Sequence, residues 1–201
     1  TIAVHKRIIF NGNGYSDEWV VEAERRGLPN IKCMVDAVPA LVKPEAVEIF
    51  EKHGVYTKAE MESRAEVMYE TYSKTINIEA LTMIDMAKKQ IVPATIKYQT
   101  SLAESVNAIK AASSAVDTSV QEALMADIST NLKDMYAALA HLEEVAGKAE
   151  AMEEGAEQGH YYHDVVFTAM DELRKPADKL EMLVAKSAWP FPSYGDLIFE
   201  V

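Results

Sequence analysis

Few residues in this chain have the type and spacing to do chemistry. Gly12-Asn13-Gly14-Tyr15-Ser16 stands ahead of a helix start, an arrangement that can hold an anion on backbone N–H groups. No lysine follows the glycines, and no third glycine sits at dinucleotide-fingerprint spacing, so the stretch reads as a plain turn. Glu157-Gln158-Gly159-His160 is one copy of the Glu-x-x-His pattern of di-iron bundles. Such sites need a second copy and two more glutamates from other helices, and the sequence has no second copy. His160, His163 and Asp164 then leave at most a surface metal site. His163 stands three residues before Val166, which reads as a hydrogen-bonded histidine at the end of a bundle. Nucleophilic catalysis by Cys33 needs a histidine partner, and position nominates none of the five. His141 with Glu144 reads as an exposed pair. The residues therefore nominate no catalytic, cofactor-binding or metal-ligating position.

Composition narrows the class further. The net charge is −12, with 32 acidic against 20 basic residues, which speaks against nucleic acid or an anionic membrane as partner. No arginine lies between Arg64 and Arg174, so a phosphate clamp there would rest on lysines and backbone N–H groups. No apolar run is long enough to span a bilayer, and Thr1–Arg7 lacks a signal-peptide core. A lone Cys33 excludes an internal disulfide and fits a reducing, cytoplasmic setting. Without an initiator Met, the sequence reads as a fragment or processed product.

The elements around these residues are helical. Met125, Ile128, Leu132, Met135, Leu139, Leu142, Ala146 and Ala149 repeat at alternating steps of three and four, one narrow seam along a helix from Ser119 to about Ala149. A second seam runs through Ile84, Ala87, Ile91, Ala94, Tyr98 and Ser101, and a third through Val166, Met170, Leu173, Ala177, Leu180 and Val184. Thr57 and Glu60 form a capping box that opens the first long helix, and Ser119 with Glu122 forms another. Pro93, which costs roughly 3 kcal/mol inside a helix, and Pro176 predict bends. Ser73-Lys74-Thr75 is a weak spot. Upstream, Arg7-Ile8-Ile9-Phe10 reads as a short strand, Ser16 as the cap of a helix stopped by Gly27, and residues 28–43 as irregular. Pro44 opens a short helix ending at Gly54. The predicted fold is all-α. Residues 1–56 form a smaller irregular segment with two short helices at one end. Residues 57–188 form a long antiparallel, up-down-up bundle of three helices, and 189–201 an aromatic, proline-rich tail that packs back.

Longer motifs carry a resemblance. Phe10-Asn11-Gly12-Asn13-Gly14-Tyr15-Ser16-Asp17-Glu18-Trp19-Val20, then Glu22 through Leu28, resembles a segment of type III glutamine synthetases. Met170-Asp171-Glu172-Leu173-Arg174, Ala177 through Glu181, and Trp189-Pro190-Phe191-Pro192-Ser193-Tyr194 resemble that family's C-terminus. The resemblance implies a C-terminal helical part of a cytoplasmic, nitrogen-assimilating ligase. The parent would join ammonia to the side-chain carboxylate of glutamate through a γ-glutamyl phosphate, using ATP and Mg²⁺ or Mn²⁺. The family's motifs for ATP, metal and glutamate do not occur in these residues, so no site residue is carried over. The chain alone is expected to be inactive and to hold no cofactor. The partners implied are the upstream catalytic domain and neighbouring subunits of a homo-oligomer built as two stacked hexameric rings. The helices, together with the exposed-looking aromatics Trp19, Trp189 and Phe191, would then support subunit packing. A rival reading without an upstream domain is a free-standing helical adaptor that binds partner helices along its seams.

Overall fold

The computed structural model describes residues 2–6, 9–192 and 194–199. Its elements follow one another as α1 (Ile2–His5), α2 (Asp17–Arg25), α3 (Met34–Leu41), α4 (Pro44–Lys52), α5 (Lys58–Met86), α6 (Val92–Ala112), α7 (Ser119–Glu150), α8 (Ala156–Tyr161), α9 (Phe167–Leu183) and α10 (Tyr194–Phe199). Among the described residues there is no strand. Chain contacts divide into one unit up to Met68 and another from Tyr69 onward, and the division falls inside the continuous helix α5.

In the first unit, α2 stops as its sequence dictates: arginines fill the last turn and Gly27 takes a φ of +71°. Leu28 N–H then donates back to the Ala23 carbonyl at 3.0 Å. The strand expected at Arg7–Phe10 does not form at Ile9 and Phe10, while Arg7 and Ile8 lie outside the described residues. Instead, the Ile9 carbonyl accepts Arg26 Nη1 at 2.7 Å, and the Phe10 ring stacks on Trp19. The segment expected to be irregular contains α3, whose Val35 and Val38, three apart, are buried. Burial of that apolar pair outweighs the interior Pro39 in so short a helix. Pro44 opens α4, and Gly54, at φ +63°, follows its end.

The capping box at α5 is complete. Thr57 N–H donates to Glu60 Oε2 at 2.7 Å, and Glu60 N–H donates to Thr57 Oγ1 at 3.3 Å. The Thr57 N–H and the Thr57 hydroxyl, both donating to that carboxylate, hold the Glu60 carboxyl below its ordinary range. The helix runs through Ser73-Lys74-Thr75 without a break. It also survives Pro93, because a π-helical stretch, Ala87–Ile91, stands just before it. There Val92 N–H reaches back five residues to the Ala87 carbonyl, a wider turn that relieves the ring's clash with the preceding coil. Beyond it the buried face passes through Thr95, Tyr98, Leu102 and Val106, so Ser101 lies exposed and Thr95 takes the core position. A second π stretch, Tyr162–Val166, joins α8 to α9. Pro176 lies buried inside α9 without interrupting it.

In the second unit, α7 packs most extensively on α9 and next on α6. Lys110 pairs with Glu122, Gln99 Nε2 donates to the Met125 carbonyl at 3.3 Å, and Lys88 pairs with Glu143. As one number falls the other rises, so α6 and α7 are antiparallel. Tyr72 faces His163 at a ring separation of 6.4 Å, while Met86 and Ile91 share a cleft with Ala177 and Glu181. The α5–α6 rod therefore runs parallel to α9, and the bundle is up-down-up. Ile128, Met135, Leu139, Leu142, Ala146 and Ala149 of the central seam are buried, and Met125 and Leu132 are half-buried. Trp189 and Phe191 meet edge to face at 6.4 Å and pack on this core.

Candidate functional site

The Gly12–Ser16 stretch is held as a turn: Asn13 Oδ1 accepts Tyr15 N–H at 3.0 Å, and the Asn13 carbonyl accepts the Ser16 hydroxyl at 3.1 Å. Ser16 stands at the N-cap of α2, but its hydroxyl is turned to Asn13 rather than to the helix. The start of α2 already carries its own anion. The backbone N–H of Glu18 holds that residue's carboxyl below its usual range, so an external anion would compete with a tethered one. Gly12 leaves room for the Phe10 ring, since a Cβ there would lie 2.4 Å from the ring's tip and displace it. Behind the turn, the Arg26 guanidinium lies over Phe10 at 5.7 Å and over Trp19 at 5.5 Å. Glu22 accepts Arg25 Nε and Arg26 Nε, each at 2.6 Å. The two arginines, Arg25 first, lower the Glu22 carboxyl to about 2. Trp19 is thus half-buried in a clamp rather than exposed, and Trp189 and Phe191 are likewise half-buried.

The positions considered for metal or nucleophilic chemistry are occupied by structural bonds. Gln158, inside the Glu-x-x-His stretch, is buried, and its amide donates to the Ala149 carbonyl at 3.1 Å, tying α8 to the end of α7. His163 Nδ1 meets Asp164 Oδ1 at 2.7 Å, the hydrogen-bonded histidine expected from its place on the seam. Among the described residues no group of three His, Cys, Asp or Glu side chains is arranged to hold a metal ion. The Cys33 thiol donates to Asp36 Oδ2 at 3.0 Å, and that carboxylate keeps the proton on sulfur, the opposite of nucleophile activation. At the start of α7, Asp117 rather than Ser119 supplies the cap. Its carboxylate accepts Ser119 N–H at 2.9 Å and the Ser119 hydroxyl at 3.0 Å, which lowers its pKa. The Thr118 hydroxyl donates to Glu122 at 2.8 Å.

What the bundle offers outward is surface. Ile78, Thr82 and Met83 of α5 with Phe167, Met170 and Arg174 of α9 line an open cavity of about 500 Å³. Ile78 is 65% exposed and Phe167 51%. Sequence reasoning missed this groove because Ile78 and Phe167 lie off the core seams, and isolated apolar residues off a seam carry no periodic signal.

Three long seams packed side by side define the class: an all-α helical-bundle domain. Comparison with known proteins then gives the family. The profile described as glutamine synthetase C-terminal domain matches residues 1–110. A glutamine synthetase of Butyrivibrio fibrisolvens is 38% identical over 201 residues, covering 100% of this chain and 29% of the relative. A type-3 glutamine synthetase of Dictyostelium discoideum is 28% identical over 203 residues, covering 99% of this chain and 28% of the relative. A glutamine synthetase of Bacteroides fragilis is 29% identical over 202 residues, with 98% and 28% covered. The chain belongs to the glutamine synthetase C-terminal domain family. It spans less than a third of the length of these relatives and corresponds to their C-terminal part. No helix among the described residues is long and apolar enough to cross a membrane.

Proposed function

We propose that this chain is the structural, non-catalytic C-terminal part of a glutamine synthetase that forms glutamine from glutamate and ammonia with ATP and Mg²⁺ or Mn²⁺. The observation that carries the reading is the coverage: the relatives match along the whole chain, yet only over 28–29% of their own length. The binding of ATP, metal and glutamate belongs to the preceding part, and no residue of this chain is assigned to the reacting atoms. The helical region supports subunit packing in a homo-oligomer, in a cytoplasmic enzyme of nitrogen assimilation. The exposed apolar groove between α5 and α9 supports a contact role over a chemical one. Assaying glutamine formation by the chain alone and by the protein that includes the preceding part tests this. The reading expects activity only in the longer protein, and glutamine made by the chain alone would overturn it.

A further inference from the structure

Among the chain's asparagines, only Asn11 and Asn13 precede a glycine. Both pairs are exposed and lie outside helices. A glycine after asparagine has no Cβ to shield its N–H, which can therefore approach the side-chain amide carbon. A Cβ at position 12 would lie 2.4 Å from the tip of the Phe10 ring, so any other residue there would displace that ring. That ring in turn stacks on Trp19 at 4.1 Å beneath Arg26. Packing thus favours a chemically labile Asn-Gly pair at the front of the clamp.

The two asparagines are held differently. Asn13 Oδ1 accepts Tyr15 N–H at 3.0 Å, while its carbonyl accepts Ser16 N–H at 3.3 Å and the Ser16 hydroxyl at 3.1 Å. Turning the Asn13 side chain toward Gly14 N breaks the bond from Tyr15 N–H, while the bonds from Ser16 hold the Asn13 main chain in place. No hydrogen bond among the described residues holds the Asn11 side chain. We propose that Asn11 is a site of spontaneous deamidation whose isoaspartyl product loosens the Phe10–Trp19–Arg26 clamp. In the first step the Gly12 nitrogen attacks Asn11 Cγ; an N–Cγ bond forms, the Cγ–Nδ2 bond breaks, and ammonia leaves with the proton of the Gly12 N–H. Water then adds across one of the two imide C–N bonds of the ring. One opening gives aspartate. The other gives isoaspartate, with one extra carbon in the main chain beside the Gly12–Phe10 contact.

The test is to age the purified protein at mildly alkaline pH and follow each asparagine by peptide mass and isoaspartyl methylation. Asn11 gains about one dalton about fivefold to tenfold faster than Asn13, the factor one net hydrogen bond supplies. Asn11→Gln abolishes the fast phase and Asn13→Gln leaves it in place. In a Trp189→Phe background, Trp19 emission changes as isoaspartate accumulates, while freshly prepared Asn11→Asp keeps the emission of the unaged protein. Conversion at Asn13 as fast as at Asn11, or none at Asn11 while a free peptide of residues 9–16 converts fully, overturns the site. Isoaspartate at Asn11 with unchanged Trp19 emission overturns the effect on the clamp.

Discussion

Replacing Leu139 with alanine probes the α7 seam at a fully buried position. Leu139 is 1% exposed and shares a core cluster with Ile128, Met135, Leu142, Leu173 and Leu180. Fully burying a leucine contributes about 1.5–3 kcal/mol. Removing it also leaves a cavity that helices held on both sides of α7 close only in part, so the total loss is about 3 kcal/mol, within the usual range of about 2–5. For a chain of this size that corresponds to a melting point lower by about 6–12 °C. Leu132, on the same seam but half-buried, provides the control: the same substitution there should cost about 1–2 kcal/mol. Urea and thermal unfolding followed by circular dichroism read both variants. Equal losses at the two positions, or a loss below about 0.5 kcal/mol at Leu139, would refute α7 as the central rod. Leu139→Asp goes further, because it places a carboxylate among aliphatic side chains. The domain should unfold, and in the intact synthetase assembly should fail before the chemical step.

Four further outcomes follow from particular bonds. Gln158→Glu sets a carboxylate against the Ala149 and Met152 carbonyls, so it destabilises by about 2–3 kcal/mol at neutral pH and less in acid, where protonation restores a donor; melting at two pH values checks this. Glu22 has a depressed carboxyl, so its contribution to stability is full above about 4.5 and is lost as pH falls toward about 2. An NMR titration of its carboxyl carbon should show a midpoint near 2, and one near 4.5 would break the clamp argument. Asp36→Asn removes the charge that holds the Cys33 proton, so alkylation of Cys33 by iodoacetamide should speed up; an unchanged rate would refute that coupling. Thr57→Ala removes one arm of the capping box and should lower stability by about 1 kcal/mol in the same unfolding assay.

Much of this fold was legible in the chain because helices declare themselves locally. The α7 seam, the third seam, the Thr57/Glu60 box and the Pro44 start each rest on residues within one or two turns of one another. The misreadings are tertiary. Thr95 replaced Ser101 in the core because the buried face is set by neighbours beyond the π turn, and that turn has no sequence mark except Pro93 after it. Residues 34–41 were passed over because Pro39 reads as a breaker, whereas burial of Val35 and Val38 decides the outcome. Phe10 looked like the end of a strand until its stacking on Trp19 was seen. Capping-box spacing points to Ser119 and says nothing of a carboxylate two residues upstream, yet Asp117 is the residue that accepts the Ser119 N–H. Of the reactive side chains weighed in the sequence, Cys33 donates to Asp36 and His163 meets Asp164. The family was legible through long motifs with Trp, Gly and Pro at fixed places; one of them, Phe10 to Leu28, is the Phe10–Trp19–Arg26 clamp itself.

The role proposed for the helical bundle is to support assembly of a synthetase whose chemistry lies in the preceding part of the protein. Light scattering of the intact synthetase, with and without residues 57–201, addresses it most directly. The deletion should reduce the large oligomer to smaller species. An oligomer whose subunit number is unchanged by the deletion would contradict it.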